Sequence, residues 1–143
     1  MKNKVDHYFD KCLYFSLAKM QRNINSLAEQ SFKKLDIAPS HAFLLIALNE
    51  EEKLSSSELA DILGVSVSTL TRFVDKLITK KLCEREYDGR FSYVKITSHG
   101  QYLIQEIEKC WHDLFDSYNE YYGKQAAKEL NNMIVDLNNK SSI

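Results

Sequence analysis

The feature that most constrains this chain of 143 residues is a pair of short predicted helices within residues 54–82, separated by a tight turn. Ser55 is followed three residues later by Glu58, which is the spacing of a capping box at a helix start. Gly64 stands where the end of a helix favours glycine, and Ser66 is a second candidate N-cap. The pattern predicts a helix-turn-helix.

The second of these helices has two different faces. Its buried face is expected to consist of apolar side chains at helical spacing, namely Leu70, Val74, Leu77 and Ile78. The opposite face carries short hydroxyls and charges, namely Ser68, Thr69, Thr71, Arg72, Asp75 and Lys76. Small hydroxyls allow close approach to a DNA groove, and an arginine can bind guanine or phosphate. This face therefore indicates DNA binding; the alternative is a helical hairpin with a solvated face.

Two strands are predicted after the helices, on either side of Asp88-Gly89, a strong two-residue turn signal. With these two residues as the loop, Cys83 falls opposite Val94. The expected faces of the hairpin are Cys83, Val94 and Ile96 on one side and Glu84, Glu86, Phe91 and Tyr93 on the other. A helix-turn-helix followed directly by a hairpin is a winged helix.

This region resembles the MarR family (multiple-antibiotic-resistance regulators), which are winged-helix transcription factors that act as homodimers. Asp88, Gly89 and Arg90, then residues 94–97 and Gly100, are similar to the family pattern D-x-R-x-x-x-V-x-L-T-x-x-G. The run SSSELADILGVSVSTLTRFVDKL resembles the family's helix-turn-helix. The wing departs from the family, because it is a few residues shorter than usual, which reduces its expected reach.

A site on DNA follows from this interpretation. The helix that begins at Ser66 is expected to enter the major groove, and the helix starts at Ser55 and Ser66 should face phosphates, because helix N-termini favour anions. Arg90 at the wing tip should reach the minor groove or its phosphates, with Asp88 orienting it. The expected DNA-binding residues are Ser55, Ser66, Ser68, Thr69, Thr71, Arg72, Lys76, Asp88 and Arg90.

The charge of the chain is uneven along its length. The net charge of −1 and the pI near 6.4 are not those of a typical nucleic-acid binder. Residues 66–97, however, hold seven Lys or Arg against four Asp or Glu, a local charge of +3. The positive charge is therefore concentrated where DNA binding is predicted, unless it has clustered there by chance.

Apolar stripes at both ends of the chain predict further helices. Residues 6–35 are expected to form one long amphipathic helix, and residues 98–122 and 124–138 two more, with a short apolar helix at 40–49. A compact winged helix cannot cover so much apolar surface. We therefore expect one domain, 1–143, in which 1–36 and 98–143 form a helical dimerisation region and 37–97 the winged-helix DNA-binding region.

No pattern of catalytic or metal-binding residues is present in the sequence. There is no G-x-S-x-G, Gly-rich phosphate loop or H-E-x-x-H, and the four histidines show no i, i+3 or i, i+4 pair. We expect no enzymatic activity, metal or other cofactor. The absence of a long apolar run or signal-peptide core, and three cysteines without C-x-x-C spacing, predict a cytoplasmic protein with no membrane partner.

The resemblance also implies sites for small molecules. In the family, ligands bind between the dimerisation helices and the winged helix. Four residues are therefore candidates for lining such a pocket, and packing in the core is the alternative explanation for them: Tyr14, His41, Trp111 and Phe115. Some members sense peroxide through a cysteine in the first helix. Cys12 lies two residues from the matching position, about 200° around a helix, so burial as a small apolar side chain is the alternative to redox sensing.

Together these patterns predict a mainly α protein with a small β-hairpin wing, in which a winged helix-turn-helix is flanked by N- and C-terminal dimerisation helices. The expected function is sequence-specific binding of double-stranded DNA as a transcriptional regulator, by a homodimer on a pseudo-palindromic operator. The resemblance alone implies a repressor released by a small-molecule effector. Two alternatives stay open: a winged-helix protein-interaction module with weak or no DNA binding, and a cysteine-based redox-sensing regulator.

Overall fold

The computed structural model describes residues 3–141 and is mainly helical with one small antiparallel sheet. The predicted fold class is confirmed. The elements in chain order are α1 (Lys4–Phe9), α2 (Leu13–Phe32), a 3-10 turn (Lys33–Leu35), α3 (Pro39–Glu50), β1 (Leu54–Ser55), α4 (Ser56–Leu63), α5 (Val67–Thr79), β2 (Cys83–Asp88), β3 (Phe91–Ile96), α6 (Ser98–Tyr122) and α7 (Lys124–Lys140).

The chain forms two compact units. The winged-helix unit is Phe32–Trp111, and the terminal unit combines Met1–Ser31 with His112–Ile143, of which residues 3–31 and 112–141 are described. Helix α6 begins in the first unit and ends in the second. The division into a dimerisation region and a DNA-binding region stays a prediction.

Local hydrogen bonds explain where α4 and α5 begin and end. The Ser55 hydroxyl accepts from the Glu58 N–H, and the Glu58 carboxylate accepts from the Ser55 N–H, which completes the capping box. Gly64 ends α4 in the left-handed conformation, at φ 65°. The Ser66 hydroxyl caps α5 by accepting from the Thr69 N–H.

The sheet has strand order β1-β3-β2, and its register corrects the predicted one. Asp88 pairs with Phe91 and Cys83 with Ile96, so the loop is Gly89-Arg90 and not Asp88-Gly89. Gly89 has φ 61°, which suits the first loop position of a type II′ turn. Because the slip is two residues and side chains alternate, the predicted faces are retained.

The core of the winged-helix unit is apolar, and at one point a glycine allows two segments of backbone to pack closely. Its largest fully buried side chains are Phe32, Leu44, Leu45, Leu48, Leu59, Leu70, Val74, Leu77, Val94, Ile107 and Cys110. Gly100, in the first turn of α6, lies so close to the preceding chain that an added Cβ would be 2.2 Å from the Leu82 carbonyl oxygen. The start of α6 can therefore pack directly against the backbone at Leu82, because Gly100 has no side chain.

The single long helix expected over residues 6–35 is wrong. The chain breaks between α1 and α2, and the break brings the Phe9 and Phe15 rings to 4.6 Å between centroids. Residues six apart on one helix do not face each other, so a continuous helix would exclude this ring contact. The two helices expected after the wing are present as α6 and α7.

The terminal unit leaves many large apolar side chains exposed within the described chain. They include Tyr8, Leu13, Tyr14, Leu17, Tyr121, Met133, Val135 and Leu137. None of the helices within residues 3–141 is both long and apolar enough to cross a bilayer.

Candidate nucleic-acid interface

The first turn of α5 presents a cluster of three exposed or half-buried hydroxyls. The Ser66 hydroxyl donates to Thr69 Oγ1 at 2.9 Å while accepting from the Thr69 N–H at 3.1 Å. The Ser68 hydroxyl lies 3.1 Å from that of Ser66. The three hydroxyls thus hold one another at a helix N-terminus, where backbone N–H groups and the helix dipole favour a negative partner.

Arg72 extends this polar face by one turn. Its Nη2 atom donates to Thr69 Oγ1 at 3.3 Å, which directs the guanidinium back toward the helix start. No acidic side chain within residues 3–141 forms a salt bridge with Arg72, so its charge is not neutralised there. Thr71 donates its hydroxyl to the Val67 carbonyl at 2.9 Å. Its oxygen therefore stays close to the helix backbone.

The acidic residue of α5 is neutralised by the wing. Asp75 Oδ1 lies 2.8 Å from Arg85 Nη1, so the salt bridge joins α5 to β2. Lys76, the next residue along α5, is exposed. The face of α5 that is available to a partner is therefore polar and positively charged, while Leu70, Val74 and Leu77 anchor the other side.

The start of α4 is less open to a phosphate than its sequence suggests. The Ser55 N–H donates to Glu58 Oε2 at 2.7 Å, and the Ser55 hydroxyl accepts from the Glu58 N–H at 3.2 Å. These hydrogen bonds lower the pKa of the Glu58 carboxyl, so a carboxylate occupies the helix start. A phosphate would meet this negative charge, and the contact expected at Ser55 stays a prediction.

The wing carries Arg90 at its loop, where the residue is exposed. Within the described chain, Asp88 and Arg90 share no hydrogen bond or salt bridge, so the expected orientation of Arg90 by Asp88 is not seen. Tyr87 and Phe91, on opposite faces of the hairpin, are 72% and 67% exposed. The outer face of β2 also carries Glu84, Glu86 and Asp88, so this face is unfavourable for DNA.

The four predicted pocket residues lie in different units. His41 packs against Phe73, with 4.8 Å between ring centroids, and Trp111 lies 5.8 Å from Phe43, all in the winged-helix unit. Tyr14 and Phe115 belong to the terminal unit.

A cavity of about 570 Å³ exists inside the terminal unit, between α2, α6 and α7. Most of its lining side chains are apolar, and the others are Gln21, Tyr118, Tyr122 and Asn131; neither Tyr14 nor Phe115 lines it. The pocket expected between the two regions stays a prediction.

Cys12 occupies a different local structure from the expected one. It lies in the link between α1 and α2, where its N–H donates to the Phe9 carbonyl at 3.0 Å, so its position cannot be inferred from rotation along one helix. Redox sensing by Cys12 stays a prediction. Within residues 3–141, no group of three or more His, Cys, Asp and Glu side chains is arranged to hold a metal ion.

Comparison with known proteins finds a family whose model matches part of this chain. Residues 37–89, which contain α3, the helix-turn-helix and β2, match the MarR family. The predicted resemblance to the MarR family is confirmed. The matched residues include the exposed start of α5 and the first strand of the hairpin beside it.

Three relatives illustrate the match. The chain is 25% identical over 124 residues to the HTH-type transcriptional repressor IacR of Pseudomonas putida, covering 85% of this chain and 74% of that protein. It is 26% identical over 98 residues to the HTH-type transcriptional repressor MdtR of Bacillus subtilis, covering 66% of this chain and 63% of MdtR. The structure of a mutant MarR from E. coli complexed with operator DNA has a TM-score of 0.78 at 20% identity, with 91% of this chain and 96% of that chain covered.

Three residues that sequence reasoning did not assign to the site contribute to its geometry. Arg85 orients α5 through Asp75, Gly100 docks α6, and Lys80 contacts Asp36 beside the start of α3. For Arg85 a signal existed, because an arginine that alternates with Cys83 is placed on the buried face of β2 and requires an anionic partner there.

Proposed function

We propose that this chain is a sequence-specific DNA-binding regulator of transcription, with the N-terminal half of α5 in the major groove. The observation that carries the proposal is the polar start of α5, where three hydroxyls and the unneutralised Arg72 share one exposed face. Short hydroxyls permit close approach to bases and phosphates, and arginine supplies two donors for guanine. The buried opposite side fixes the helix for such contacts.

The relatives support the same function. The mutant MarR was crystallised with operator DNA, and the two curated relatives are named as repressors. We accordingly propose that Ser66, Ser68, Thr69, Thr71 and Arg72 face the groove. In this proposal Lys76 and Arg90, together with the helix start at Ser55 and the wing residue Asp88, lie beside the DNA backbone.

We further propose that the regulator acts as a homodimer in the cytoplasm. The exposed apolar side chains of the terminal unit support a homodimer, since large apolar side chains exposed in such number are typical of an interface. A two-fold dimer requires a pseudo-palindromic operator with half-sites about 10 base pairs, or a multiple of this, apart. Repression that is relieved by a small effector completes the proposal.

Selection of bound sequences from a random pool of duplex DNA tests this function. We expect enrichment of a two-fold symmetric site, and an affinity that falls steeply with salt because bound phosphates release counterions. Arg72→Ala should weaken binding to the enriched site, while Lys128→Ala on the exposed side of α7 serves as a matched loss of positive charge. A pool that shows no enrichment, with no salt-dependent binding, would instead favour a protein-interaction module.

The homodimer has its own test. Sedimentation equilibrium of the full chain should give twice the monomer mass of 16.6 kDa. Leu13→Glu, at a side chain that is 69% exposed, should lower the association constant, because it places a charge on the apolar surface. A monomer that binds the selected site with full affinity would contradict this part of the proposal.

A further inference from the structure

The exposed side of α5 is not polar throughout. Val67, the first residue of the helix, is apolar and 49% exposed. It stands between Ser66 and Ser68, whose hydroxyls belong to the polar cluster at the helix start. A single exposed valine is common on protein surfaces. This one, however, lies at the end of the helix that we propose enters the DNA groove.

Thr71 extends this apolar spot by one turn. It follows Val67 by four residues, so the two side chains are neighbours on one side of the helix. The Thr71 hydroxyl donates to the Val67 carbonyl at 2.9 Å. Because the hydroxyl is directed at the backbone of the preceding turn, the methyl group is the branch that this exposed residue offers to a partner. The Val67 side chain and the Thr71 methyl group together are called the methyl strip below.

The fold does not allow the methyl strip to be buried by rotation of α5. Another side of the helix is fully buried in the core of the winged-helix unit, through Leu70, Val74 and Leu77. Turning Val67 inward would expose these three side chains to water, at a larger cost than the burial of one valine gains. The methyl strip therefore stays available at the surface.

The hydroxyls at the helix start are largely engaged with one another. Ser66 donates to Thr69 Oγ1 at 2.9 Å, and the Ser68 hydroxyl lies 3.1 Å from that of Ser66. Thr69 Oγ1 also accepts from Arg72 Nη2 at 3.3 Å. Recognition of a base by hydrogen bonds therefore falls mainly to Arg72, whose guanidinium suits guanine. A second base-specific contact at this end of α5 requires a different chemistry.

An apolar contact in the major groove identifies one base. Of the four bases only thymine carries a 5-methyl group, and this group projects into the major groove. We propose that the methyl strip, Val67 with the Thr71 methyl group, contacts the 5-methyl group of one thymine in each half-site while Arg72 contacts a guanine. The inference rests on the proposed function, because it requires α5 to lie in the groove.

Replacement of thymine by deoxyuridine in the selected site tests the contact, because only the 5-methyl group is removed. Each thymine is replaced in turn, at equivalent positions of both half-sites, and the affinity of the full chain is measured by fluorescence anisotropy. At one position we expect binding to weaken about fourfold for each half-site, which corresponds to the burial of one methyl group. Thymines in the flanking DNA serve as controls and should tolerate the replacement.

The variant Val67→Ala connects that thymine to the protein. It should weaken binding to the thymine site and have little effect on binding to the deoxyuridine site, so the two changes are not additive. The ratio of the two affinities should fall toward one. A variant that only destabilised α5 would lower both affinities alike and leave this ratio unchanged.

Two variants of Thr71 separate an apolar contact from a hydrogen bond. Thr71→Val keeps the methyl group and removes the hydroxyl, so it should retain the preference for thymine over deoxyuridine. Thr71→Ser keeps the hydroxyl and removes the methyl group, so it should reduce that preference. The opposite order would show that Thr71 acts through its hydroxyl and would overturn its part in the methyl strip. Circular dichroism checks that each variant is folded.

The outcomes distinguish this inference from the proposed function. Equal affinity for thymine and deoxyuridine at every position of a specifically bound site would overturn the methyl contact and leave the proposed function standing. A preference for thymine that Val67→Ala does not change would assign the contact to another side chain and also overturn the inference. Absence of any specific DNA binding would overturn both.

Discussion

Arg85 Nη1 lies 2.8 Å from Asp75 Oδ1, so the first strand of the wing is tied to the middle of the helix that we propose reads DNA. The arginine stands on the core-facing side of β2, opposite Val94. A movement of the wing therefore acts on α5 through a charged contact as well as through apolar packing.

A double-mutant cycle on this pair measures the coupling. Arg85→Ala and Asp75→Ala should each destabilise the fold, with an interaction free energy of about 0.5–1 kcal/mol, because the side chains are 24% and 58% exposed and partly screened. The free energy of unfolding is obtained from urea denaturation of both single variants and the double variant. Strictly additive single effects would show that the pair contributes nothing.

Arg72 and Arg90 are expected to differ in what they recognise. Arg72 lies on the helix in the groove, so Arg72→Ala should reduce discrimination between the selected site and scrambled DNA by roughly 1–3 kcal/mol. Arg90 is carried by a two-residue loop on a short wing, so Arg90→Ala should weaken both complexes equally and lower the salt slope by about one per half-site. Affinities for both DNAs across a salt series decide this. If Arg90→Ala removes the preference for the selected site, the wing and not α5 recognises the DNA sequence.

Gly100 should not tolerate a side chain. A Cβ at this position would lie 2.2 Å from the Leu82 carbonyl oxygen and 2.7 Å from Ile96 Cγ1, so Gly100→Ala must displace the start of α6 and should cost about 3 kcal/mol. Thermal unfolding measures the loss. Gly64→Ala is a useful comparison, because the site is open but φ is 65°, and it should cost about 1 kcal/mol.

The stability of the fold should decrease as the pH falls below about 6.5. The pKa of His41 is lower in the folded chain than the value of 6.5 for an unperturbed histidine, so between these two pKa values the unfolded chain binds more protons. This contribution is fully present above pH 6.5 and is lost as the pH approaches the folded pKa. His41→Gln should flatten the dependence of the unfolding free energy on pH in that interval. An unchanged slope in this variant would assign the effect to other groups.

The three cysteines should differ in their reaction with iodoacetamide. Cys83 is buried, and burial raises the pKa of its thiol to about 11, so little thiolate exists at pH 8. Cys110 is also fully buried, whereas Cys12 is partly exposed. Mass spectrometry of the native chain should find Cys12 alkylated first. Equal rates at all three cysteines would show that the winged-helix core opens readily.

Local signals in the sequence were sufficient to predict where the DNA-binding helices begin. The contacts of Ser55 with Glu58 and of Ser66 with Thr69 span three residues, so the sequence determines them without tertiary information. The faces of the hairpin were predictable for a related reason, since alternation along a strand does not depend on the exact pairing.

Features that depend on competing or distant contacts were not predictable in the same way. Asp88-Gly89 and Gly89-Arg90 both form acceptable two-residue loops, and the type II′ conformation of Gly89 decides between them. The break before α2 carries no Gly or Pro signal and accompanies the contact of Phe9 with Phe15. The approach of residues 36–41 to residues 76–80 joins segments that are far apart in the sequence, so only the folded chain reveals it.

The pairing of Asp88 with Phe91 across Gly89-Arg90 has a consequence for changes in wing length. Deleting one residue from β2 would invert its side chains and turn the Glu84 and Glu86 carboxylates toward the helices. Deleting two residues would keep every side chain on its own face and draw Arg90 closer to the body of the protein. The fold should therefore tolerate changes of two residues in the length of β2 better than changes of one residue. A series of such variants would measure how far from the body of the protein Arg90 has to lie in order to contact DNA.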